Sequence, residues 1–425
     1  MELKRVVVTG LGAVTPIGNT VPEFWNNAVN GVSGCAPLTL ISEKELAQSK
    51  VKFGCEVKNF DITQYIDRKE ARKLDRYHHF AIAAGSQAMT DAGFDLEKEN
   101  LERFGVILGF GMGGLESFAE GCSMLEENKR NGGDFKVSPF FVPKIIGSLA
   151  SGYLSIIYGF RGPNYTTSSA CASSTHSVID AINLIRLGKC DVMLTGGAEA
   201  PMTLAGLTGF SIMHALSTRN DSPETASRPM SASRDGFVLG EGGAVMVLEE
   251  LEHAKARGAK IYAEVVGWGA SADAYHITAP DPEGKGATKV MKDALEDAGM
   301  TTADIDYVNM HGTSTPLGDI AECRAIGKVF GDDAYRINIS STKSMTGHLL
   351  GGAGAIEAVA TVLAVKNDIV PPTINHEDGD NDENIDYNMN FTFNKAQKRE
   401  IRAGLTNTFG FGGQNSCLIF KKYNG

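Results

Sequence analysis

One cysteine in this chain stands where a nucleophile could be activated. Cys171 lies within Thr166-Thr-Ser-Ser-Ala-Cys-Ala-Ser-Ser174, and an apolar helical pattern begins there. Small neighbours leave room for a substrate, and the N–H groups at a helix start stabilise a thiolate, the reactive form of cysteine. The pattern therefore predicts that Cys171 is a nucleophile with a lowered pKa. The other cysteines lack this setting and are expected to be small buried hydrophobic side chains: Cys35, Cys55, Cys122, Cys190, Cys323 and Cys417.

Two histidines stand in comparable loops of Gly, Ser and Thr. His311 follows the apolar run Ile305–Met310, and His348 ends the segment Ser341–His348. A lone loop histidine is usually structural, but two of them together with Cys171 suggest a Cys-His-His set. Metal binding is the weaker alternative, because no HxH or HExxH spacing occurs. Three further histidines are expected to be ordinary polar surface or helix positions: His78, His79 and His176.

A weak internal duplication indicates which elements bring these side chains together. The strand and Gly-x-Gly-Ala turn at 6–13 recur at 264–270, and Ala-x-x-Asp-Ala-Gly at 88–93 recurs at 294–299. A third block also recurs. The helix after Cys171 resembles the helix after His348, and the strand at 192–196 resembles the run at 366–370. Cys171 and His348 are 177 positions apart. We expect two similar βαβαβ halves, residues 1–258 and 259–425, with insertions in the first. Both side chains would then lie at strand-to-helix loops, where α/β folds gather reactive groups.

Composition limits the possible classes of function. The 425 residues carry a formal charge of −11, which argues against a nucleic-acid protein held by phosphate attraction. Hydrophobic residues make up 42% of the chain, enough for a large core, yet no apolar run reaches the roughly 18 residues of a membrane span. Seven scattered cysteines are typical of free thiols in a reducing compartment, so we expect a cytoplasmic protein.

The reactive residues lie in motifs that resemble those of the β-ketoacyl-acyl carrier protein synthases. The motifs are Ser169-Ala-Cys-Ala-Ser173, Asn309-Met-His-Gly-Thr-Ser-Thr-Pro-Leu-Gly-Asp319, Thr342-Lys-Ser-Met-Thr-Gly-His348 and Asn407-Thr-Phe-Gly-Phe-Gly-Gly413. The likeness covers essentially the whole chain and is strongest to the elongating type II enzymes of fatty-acid synthesis. It implies a thiolase-like, five-layered αβαβα fold, a homodimer, no cofactor or metal, and acyl carrier protein as partner. The implied reaction is a decarboxylating Claisen condensation.

The resemblance also implies a catalytic set. Cys171 would hold the acyl chain, while His311 and His348 would act on the malonyl extender. Lys343 and Glu357 match residues that support this pair. Two histidines beside the cysteine favour an elongating enzyme, because initiating synthases use Cys-His-Asn and chain-length factors lack the cysteine.

Further matches concern how the acyl chain is held. Phe411 matches the gate residue whose backbone N–H, with that of Cys171, forms the oxyanion hole. Five positions match or adjoin the pantetheine tunnel and the acyl pocket: Thr278, Thr313, Thr315, Phe110 and Met112. Phe110 stands where the family more often has a small polar residue, and Gln414 stands where the family usually has Thr or His. Both departures lie near the acyl pocket and gate, so chain-length preference stays open.

A basic segment of this acidic chain is the expected docking surface for the carrier protein. Five cations stand within residues 68–76, many of them four apart, so on one helix they would form a stripe. A balanced, solvated face is the ordinary interpretation of such a run. The resemblance favours docking, because it aligns the segment with the family's docking helix. The implied residues are Lys69, Arg72 and Lys73, extended by Lys129 and Arg130, with His214 where the family tends to carry Arg.

Two other functions remain open from the sequence. Gly109-Phe-Gly-Met-Gly-Gly114 follows a predicted strand and matches the G-x-G-x-x-G of dinucleotide-binding oxidoreductases, a motif of low specificity on its own. A ketosynthase of a polyketide or other specialised pathway would carry the same catalytic motifs. A thiolase is disfavoured, because it would use coenzyme A and a second cysteine as its base.

Overall fold

The computed structural model describes residues 3–425. The strands are β1 Val6–Val14, β2 Ala36–Pro37, β3 Phe53–Gly54, β4 Phe104–Gly109, β5 Asn164–Thr167, β6 Val192–Glu199, β7 Gly242–Glu250, β8 Ala263–Ala272, β9 Tyr307–Asn309, β10 Asn338–Ser340, β11 Ile369–Val370, β12 Gln397–Lys398, β13 Ala403–Gly410 and β14 Gln414–Lys421. The helices are α1 Val21–Val29, α2 Glu43–Leu46, α3 Arg68–Ala71, α4 Arg76–Ala92, α5 Leu115–Arg130, α6 Phe141–Ile145, α7 Leu149–Tyr158, α8 Ser173–Arg186, α9 Leu204–Ile212, α10 Leu251–Ala256, α11 Lys285–Ala298, α12 Pro316–Phe330, α13 Lys343–Thr346 and α14 Ala353–Asn367. Within residues 3–425, no helix has the length and apolar character needed to cross a membrane.

Ten strands form one mixed sheet whose two halves repeat the same order. From its edge inward the first half runs β5-β4-β6-β7-β1, and the second runs β10-β9-β13-β14-β8. In each half the outer three strands are parallel and the next two pairings are antiparallel. β1 and β8 meet at the centre, where Val6–Val8 pair with Ala263–Val265. The predicted pseudo-symmetric halves are confirmed, and the boundary that we propose after residue 258 lies between α10 and β8.

Helices separate and cover the two halves of the sheet. α8 and α14 lie side by side and contact strands of both halves. α4 and α7 cover the first half on its other side, and α11, with α12 against it, covers the second. α14 is buried along its length from Ala353 to Val365, as expected of an apolar helix enclosed on all sides. The layers therefore follow the predicted order αβαβα.

Local sequence explains where the two covering helices end. α4 ends at Ala92 and α11 at Ala298, and the next residue in each case is a glycine with φ of 66° or 60°. Glycine adopts this left-handed conformation without strain, which makes it the common residue after a helix. These are the two Ala-Gly ends of the duplicated pattern.

One pairing of the duplicated elements is wrong. The sequence matched the strand at 192–196 with residues 366–370, but β11 in that run pairs with β12 in a separate two-stranded sheet. β13 takes the position equivalent to β6, because it pairs parallel with β9 as β6 does with β4. The second half therefore carries an insertion too, between α14 and β13.

Candidate active site

Cys171 lies in the short connection between β5 and α8. Within this turn Ala170 has a φ of 50°, a left-handed conformation that is rare for a residue with a Cβ and recurs at functional turns. The turn brings the buried Cys171 to the seam between the two halves. Its Sγ lies 3.1 Å from Nε2 of His348.

The helix start does not activate the thiol, so the predicted lowering of its pKa is wrong. The first N–H groups at this end of α8 donate to the carbonyl oxygens of residues 169 and 170. Burial raises the pKa of Cys171 to about 11, and Lys343 and the backbone N–H of Phe411 only partly oppose this. Cys171 is therefore a thiol at rest and needs a base to remove its proton.

His348 is the base nearest to that thiol. Its backbone N–H donates to the carbonyl oxygen of Val238 at 2.8 Å, and its carbonyl oxygen accepts from Gly240 at 3.0 Å. Burial, together with the charge of Lys343, holds the pKa of His348 well below its usual value. The ring is therefore neutral and can accept a proton from Cys171.

His311 joins the cluster from the end of β9. Its ring stands nearly perpendicular to that of His348, at 86°, with the centroids 5.3 Å apart. The ammonium of Lys343 lies 3.3 Å from Nδ1 of His311, so this nitrogen accepts and Nε2 carries the imidazole hydrogen. Burial and Lys343 hold the pKa of His311 well below its usual value. His311 is thus a neutral hydrogen-bond donor close to the sulfur.

Lys343 and Glu357 form a buried ion pair behind the histidines. Their side chains are only 2% and 1% exposed, and the ammonium donates to a carboxylate oxygen of Glu357. Removing one partner of such a pair leaves an uncompensated buried charge, which typically costs about 3–5 kcal/mol. The pair fixes the ammonium beside His311, in keeping with the supporting role that the resemblance implied.

Glu322 holds the His311 loop, and the sequence did not reveal it. Its carboxylate oxygens accept the backbone N–H groups of His311 at 2.9 Å and Gly312 at 2.8 Å, and the side-chain amide of Asn407 donates at 3.2 Å. Burial raises the pKa of Glu322 to about 7. The available signal was an acidic residue on the buried face of α12, three positions after Asp319, and this pattern alone is not specific.

Phe411 lies in the turn of the hairpin formed by β13 and β14. The preceding residue, Gly410, passes so close to the nucleophile that a Cβ there would lie 2.8 Å from the carbonyl oxygen of Ser169. Glycine permits this approach. As a result the backbone N–H of Phe411 lies near the sulfur of Cys171 and acts to lower its pKa. A donor at this place can stabilise an oxyanion that forms next to the sulfur.

A pocket that is partly open to solvent reaches the cluster. Hydroxyl groups line one part of it, and Thr313 and Thr315 hydrogen-bond to each other at 3.0 Å. Apolar and aromatic side chains line another part. The pocket brings together the catalytic candidates, the three predicted tunnel threonines and several residues that the sequence did not suggest: Cys171, His311, His348, Thr278, Thr313, Thr315, Phe210, Phe237, Leu350 and Phe409.

Phe110 and Met112 do not line this pocket, and their part in holding the acyl chain stays a prediction. Phe110 is 3% exposed and packs edge-on against Tyr77, with ring centroids 5.0 Å apart. Met112 is 40% exposed on the surface. The loop that carries both residues is fixed by hydrogen bonds from its own backbone.

The glycine-rich loop binds a carboxylate of the protein itself. Backbone N–H groups of Gly111, Met112 and Gly113 donate to Glu199 at 2.7, 3.1 and 3.0 Å, and Gly351 adds a fourth at 3.2 Å. Burial raises the pKa of Glu199 to about 7. The N–H groups that would cradle a dinucleotide phosphate are thus occupied, so the oxidoreductase interpretation has no support here.

The basic segment at 68–76 is not the single helix that was expected. α3 ends at Ala71 and α4 begins at Arg76, because Asp75 caps a new helix. The guanidinium of Arg76 turns inward to the buried Glu241, at 2.6 Å. Lys73 pairs with Glu70 at 2.6 Å. The exposed cations of the segment are Arg68, Lys69 and Arg72.

The remaining predicted docking residues lie on other elements. Lys129 and Arg130 occupy the exposed last turn of α5, where Arg130 lies 3.4 Å from Glu126. His214 is exposed just after α9.

Two expectations about burial are wrong. His78, expected on a polar surface, is buried at the start of α4, where it accepts from the N–H of Asp75 and bonds to the hydroxyl of Tyr77. Burial lowers its pKa to about 3. Cys122, expected to be buried, is exposed on α5, which turns only part of its surface inward.

The cluster also has atoms that a metal ion could use. The ligand atoms of Cys171, His311 and His348 all lie within 4.8 Å of one another. Cysteine and histidine are ligands that zinc prefers. The ammonium of Lys343, 3.3 Å from His311, would repel a cation at this place.

The chain is similar to known proteins over its whole length. The model of the β-ketoacyl synthase N-terminal domain matches residues 3–254, and that of the C-terminal domain matches residues 262–377. A 3-oxoacyl-[acyl-carrier-protein] synthase 2 of Synechocystis is 48% identical over 100% of this chain and 99% of its own. The Vibrio harveyi protein of the same name is 47% identical over 99% of both chains.

Solved structures have the same fold. A β-ketoacyl synthase from Burkholderia phymatum matches with a TM-score of 0.90 and 34% identity, over 99% of this chain and 100% of its own. A type II polyketide ketosynthase, solved in complex with its acyl-carrier protein, matches with a TM-score of 0.89 and 32% identity, over the same shares.

Proposed function

This chain belongs to the β-ketoacyl synthase family, and we propose that it is a 3-oxoacyl-[acyl-carrier-protein] synthase that elongates acyl chains in fatty-acid synthesis in the cytoplasm. The cluster of Cys171, His348 and His311 at a pocket open to solvent carries the proposal. It supplies one nucleophile and two neutral imidazoles, which is what two successive reactions of thioesters require.

The first reaction transfers the acyl group to Cys171. Nε2 of His348 takes the thiol proton, and the sulfur attacks the carbonyl carbon of the acyl thioester. The backbone N–H of Phe411 stabilises the oxyanion; a donor of this kind is worth about 2.7–4 kcal/mol. The carbon–sulfur bond to the carrier then breaks, and the carrier thiol leaves with the proton.

The second reaction joins the extender to the acyl chain. The malonyl group loses CO2, and the electron pair of the broken bond becomes an enolate with negative charge on the thioester oxygen. The N–H of His311 stabilises that charge. His348 adds a second N–H after its hydrogen has moved from Nδ1 to Nε2, since the acylated sulfur no longer offers a proton to that nitrogen. The enolate carbon attacks the acyl-cysteine, a carbon–carbon bond forms, and the sulfur of Cys171 leaves as a thiolate that takes up a proton from water. The product is a 3-oxoacyl chain two carbons longer.

We propose that both substrates arrive on an acidic acyl carrier protein. Exposed Lys69 and Arg72 supply positive charge on an otherwise acidic chain, with Lys73, Lys129 and Arg130 as further candidates. Thr278, Thr313 and Thr315 line the pocket and offer hydroxyl groups to the amide groups of a pantetheine arm. Opposite charges mainly increase the rate of association, so this contact would weaken with salt.

We also propose that the protein is a homodimer joined along β5. This strand is an edge of the ten-stranded sheet, and an unpaired edge is a template for another strand. Exposed apolar side chains surround it, with Tyr165 on β5 at 40% exposure and Ile156 on the adjoining α7 at 79%. A second copy about a twofold axis would cover both features.

A polyketide ketosynthase is the second candidate. The similarity to a solved ketosynthase of that class, at 32% identity, favours it. The relatives named 3-oxoacyl-[acyl-carrier-protein] synthase 2 are more similar, at 47–48%, and for this reason we place fatty-acid elongation first.

Incubation with acyl- and malonyl-carrier protein tests the proposal. We expect one CO2 released for each 3-oxoacyl-carrier protein formed, with the product identified by mass. Omitting the acyl primer is the control. A single condensation that stops at the 3-oxo product supports fatty-acid elongation, whereas repeated condensation without reduction would favour the polyketide candidate. No condensed product with any primer would contradict both.

A further inference from the structure

Two cysteines that take no part in the reaction lie in contact close to the His348 loop. Cys35 and Cys55 are 6% and 0% exposed, and their Sγ atoms lie 2.6 Å apart. Both are free thiols in this structure. Their spacing does not suggest a pair, because they are twenty positions apart in a chain of scattered cysteines.

The backbone holds these cysteines at the spacing of a disulfide. β2 and β3 are antiparallel, with Ala36 opposite Gly54 and Pro37 opposite Phe53. One further step of this register places Cys35 opposite Cys55. Directly opposed residues have Cα atoms about 4.5–5.5 Å apart, within the roughly 4.4–6.8 Å that disulfides span. A bond between the sulfurs therefore requires little movement of either strand.

The same backbone is tied to the loop that carries the catalytic base. Cys55 donates its N–H to Leu239 at 2.8 Å, and Gly34 donates to Met345 at 2.8 Å. The sulfur of Cys55 also fills the space beside Gly347, since a Cβ on that glycine would lie 2.8 Å from it. Gly347 directly precedes His348 in the chain. The thiol pair thus packs against the peptide that positions His348.

We propose that Cys35 and Cys55 are an oxidation site, where a reversible disulfide joins β2 to β3 beside the loop of His348. Hydrogen peroxide is the oxidant, because it is small enough to reach a pair with so little exposure. The site is distinct from the nucleophile Cys171, and its behaviour does not depend on the proposed function.

The chemistry proceeds in two balanced steps. Cys35, the more exposed thiol, gives up its proton, and its sulfur takes one oxygen of the peroxide to form a sulfenic acid while water leaves. The sulfur of Cys55 then attacks the sulfenic sulfur, the S–S bond forms, and the second oxygen leaves as water. Two electrons pass from the thiols to the peroxide. Burial raises the pKa of Cys55 well above its usual value, so Cys55 is poorly reactive toward peroxide and is not the first thiol oxidised.

Peptide mapping after mild peroxide treatment tests the bridge. The protein is denatured, its free thiols are alkylated, and trypsin then releases Val6–Lys44 with Cys35 and Phe53–Lys58 with Cys55. We expect these two fragments to be linked after peroxide and separate after dithiothreitol. Full alkylation of both cysteines, at a peroxide dose that oxidises the exposed Cys122, would overturn the proposal.

Thermal melting tests whether the bridge stabilises the folded protein. Closing the loop of residues 35–55 stabilises the folded state mainly by restricting the unfolded chain. We expect peroxide to raise the Tm of the wild type by several degrees, reversibly with dithiothreitol, and to leave the Tm of Cys55→Ala unchanged. Cys190→Ala, which removes another buried cysteine, is the matched control and should respond as the wild type does. A linked fragment without a rise in Tm would contradict this stabilisation, and the linked fragment in the wild type remains decisive if Cys55→Ala does not fold.

Discussion

The two active-site histidines have different neighbours, and this separates their roles. His348 contacts the sulfur of Cys171, whereas the Nδ1 of His311 faces the ammonium of Lys343. Because burial raises the pKa of Cys171 to about 11, removing its proton requires the base that touches it. We therefore expect His348 to serve both reactions and His311 to serve the malonyl reaction alone.

The half-reactions of the two histidine variants test this division. His311→Ala should acylate Cys171 within a few-fold of the wild-type rate, yet release CO2 from malonyl-carrier protein about 10²–10³-fold more slowly, the typical effect of losing one oxyanion donor. His348→Ala should be slow in both measurements. Rapid acylation by His348→Ala would show that another group takes the thiol proton.

At the scale of single residues, the sequence indicated the candidate reactive side chains and the pair Lys343 and Glu357 behind them, but not the carboxylates that hold the surrounding loops. Cys171, His311 and His348 stand in distinctive motifs. Glu322 and Glu199 act through backbone N–H groups of loops that are distant in sequence, so their partners depend on the tertiary fold. The pKa of Cys171 was misjudged for the same reason, because desolvation comes from the whole surrounding core.

At the scale of the elements, β6 ends at Glu199, whose buried carboxylate accepts backbone N–H groups from two separate loops. Burial raises the pKa of Glu199 from 4.5 to about 7, so folding favours the protonated form. Its stabilising contribution is complete below pH 4.5 and is lost as the pH rises through about 7. The side chain of Glu199→Gln is neutral at every pH, so the variant does not lose this contribution as the pH rises. The difference by which its free energy of unfolding falls below that of the wild type should therefore shrink by roughly 2–3 kcal/mol between pH 5 and pH 8.

Urea unfolding of the wild type and Glu199→Gln at several pH values measures that change. The exposed Glu252→Gln is the control for the loss of a surface carboxylate. A Glu199→Gln deficit that stays constant from pH 5 to pH 8 would mean that this carboxyl group is ionised throughout.

The helix break at Leu74–Asp75 changes which cations can dock a carrier protein. Arg76 is withdrawn to Glu241, so Lys69 and Arg72 remain as exposed charges on and just after α3. Replacing both by Glu should raise the KM for acyl-carrier protein by roughly tenfold or more, since charge steering changes association rates by about 10–10³. Self-acylation from a small acyl thioester should stay unchanged.

The matched control for docking reverses two exposed lysines on other elements, Lys98 and Lys255. That variant should keep the wild-type KM for the carrier protein at low salt. Equal losses with the carrier protein and the small thioester would assign Lys69 and Arg72 to the fold instead of the docking surface.

Element boundaries were predictable where a local signal decides them. Gly93 and Gly299 end their helices as the sequence indicated. Asp75 caps α4 and breaks the expected basic helix, and this followed from its contacts with Ser117 on α5 as much as from its own type. Competition of this kind between a local pattern and a tertiary contact could not be resolved from the sequence.

For the whole molecule, the sheet edge at β5 has no partner strand among residues 3–425. We expect a dimer in sedimentation equilibrium, and Tyr165→Asp with Ile156→Asp should shift it to monomer by placing charges in the apolar face beside β5. Ile277→Asp, an equally exposed apolar position at 76%, is the control and should remain dimeric. A wild type that is monomeric at micromolar concentration would contradict the proposed interface.

The duplication made the architecture of the whole molecule predictable, since β1 and β8 carry visibly similar sequences. The insertion between α14 and β13 could not be predicted from the sequence, because β11 and β12 are too short to produce a recognisable strand pattern. The reactive seam follows from the symmetry: the loop after β5 carries the thiol, and the equivalent loop after β10 carries its base.

The covalent acyl-enzyme is the species on which this mechanism depends. Intact mass spectrometry after incubation with acyl-carrier proteins of graded length should show one acyl group per wild-type chain, located on Cys171 by peptide mapping. Cys171→Ala should gain none, although it keeps the pocket and both histidines. Acylation of Cys171→Ala at another residue, or an unmodified wild type that still forms 3-oxoacyl product, would show that Cys171 is not the nucleophile.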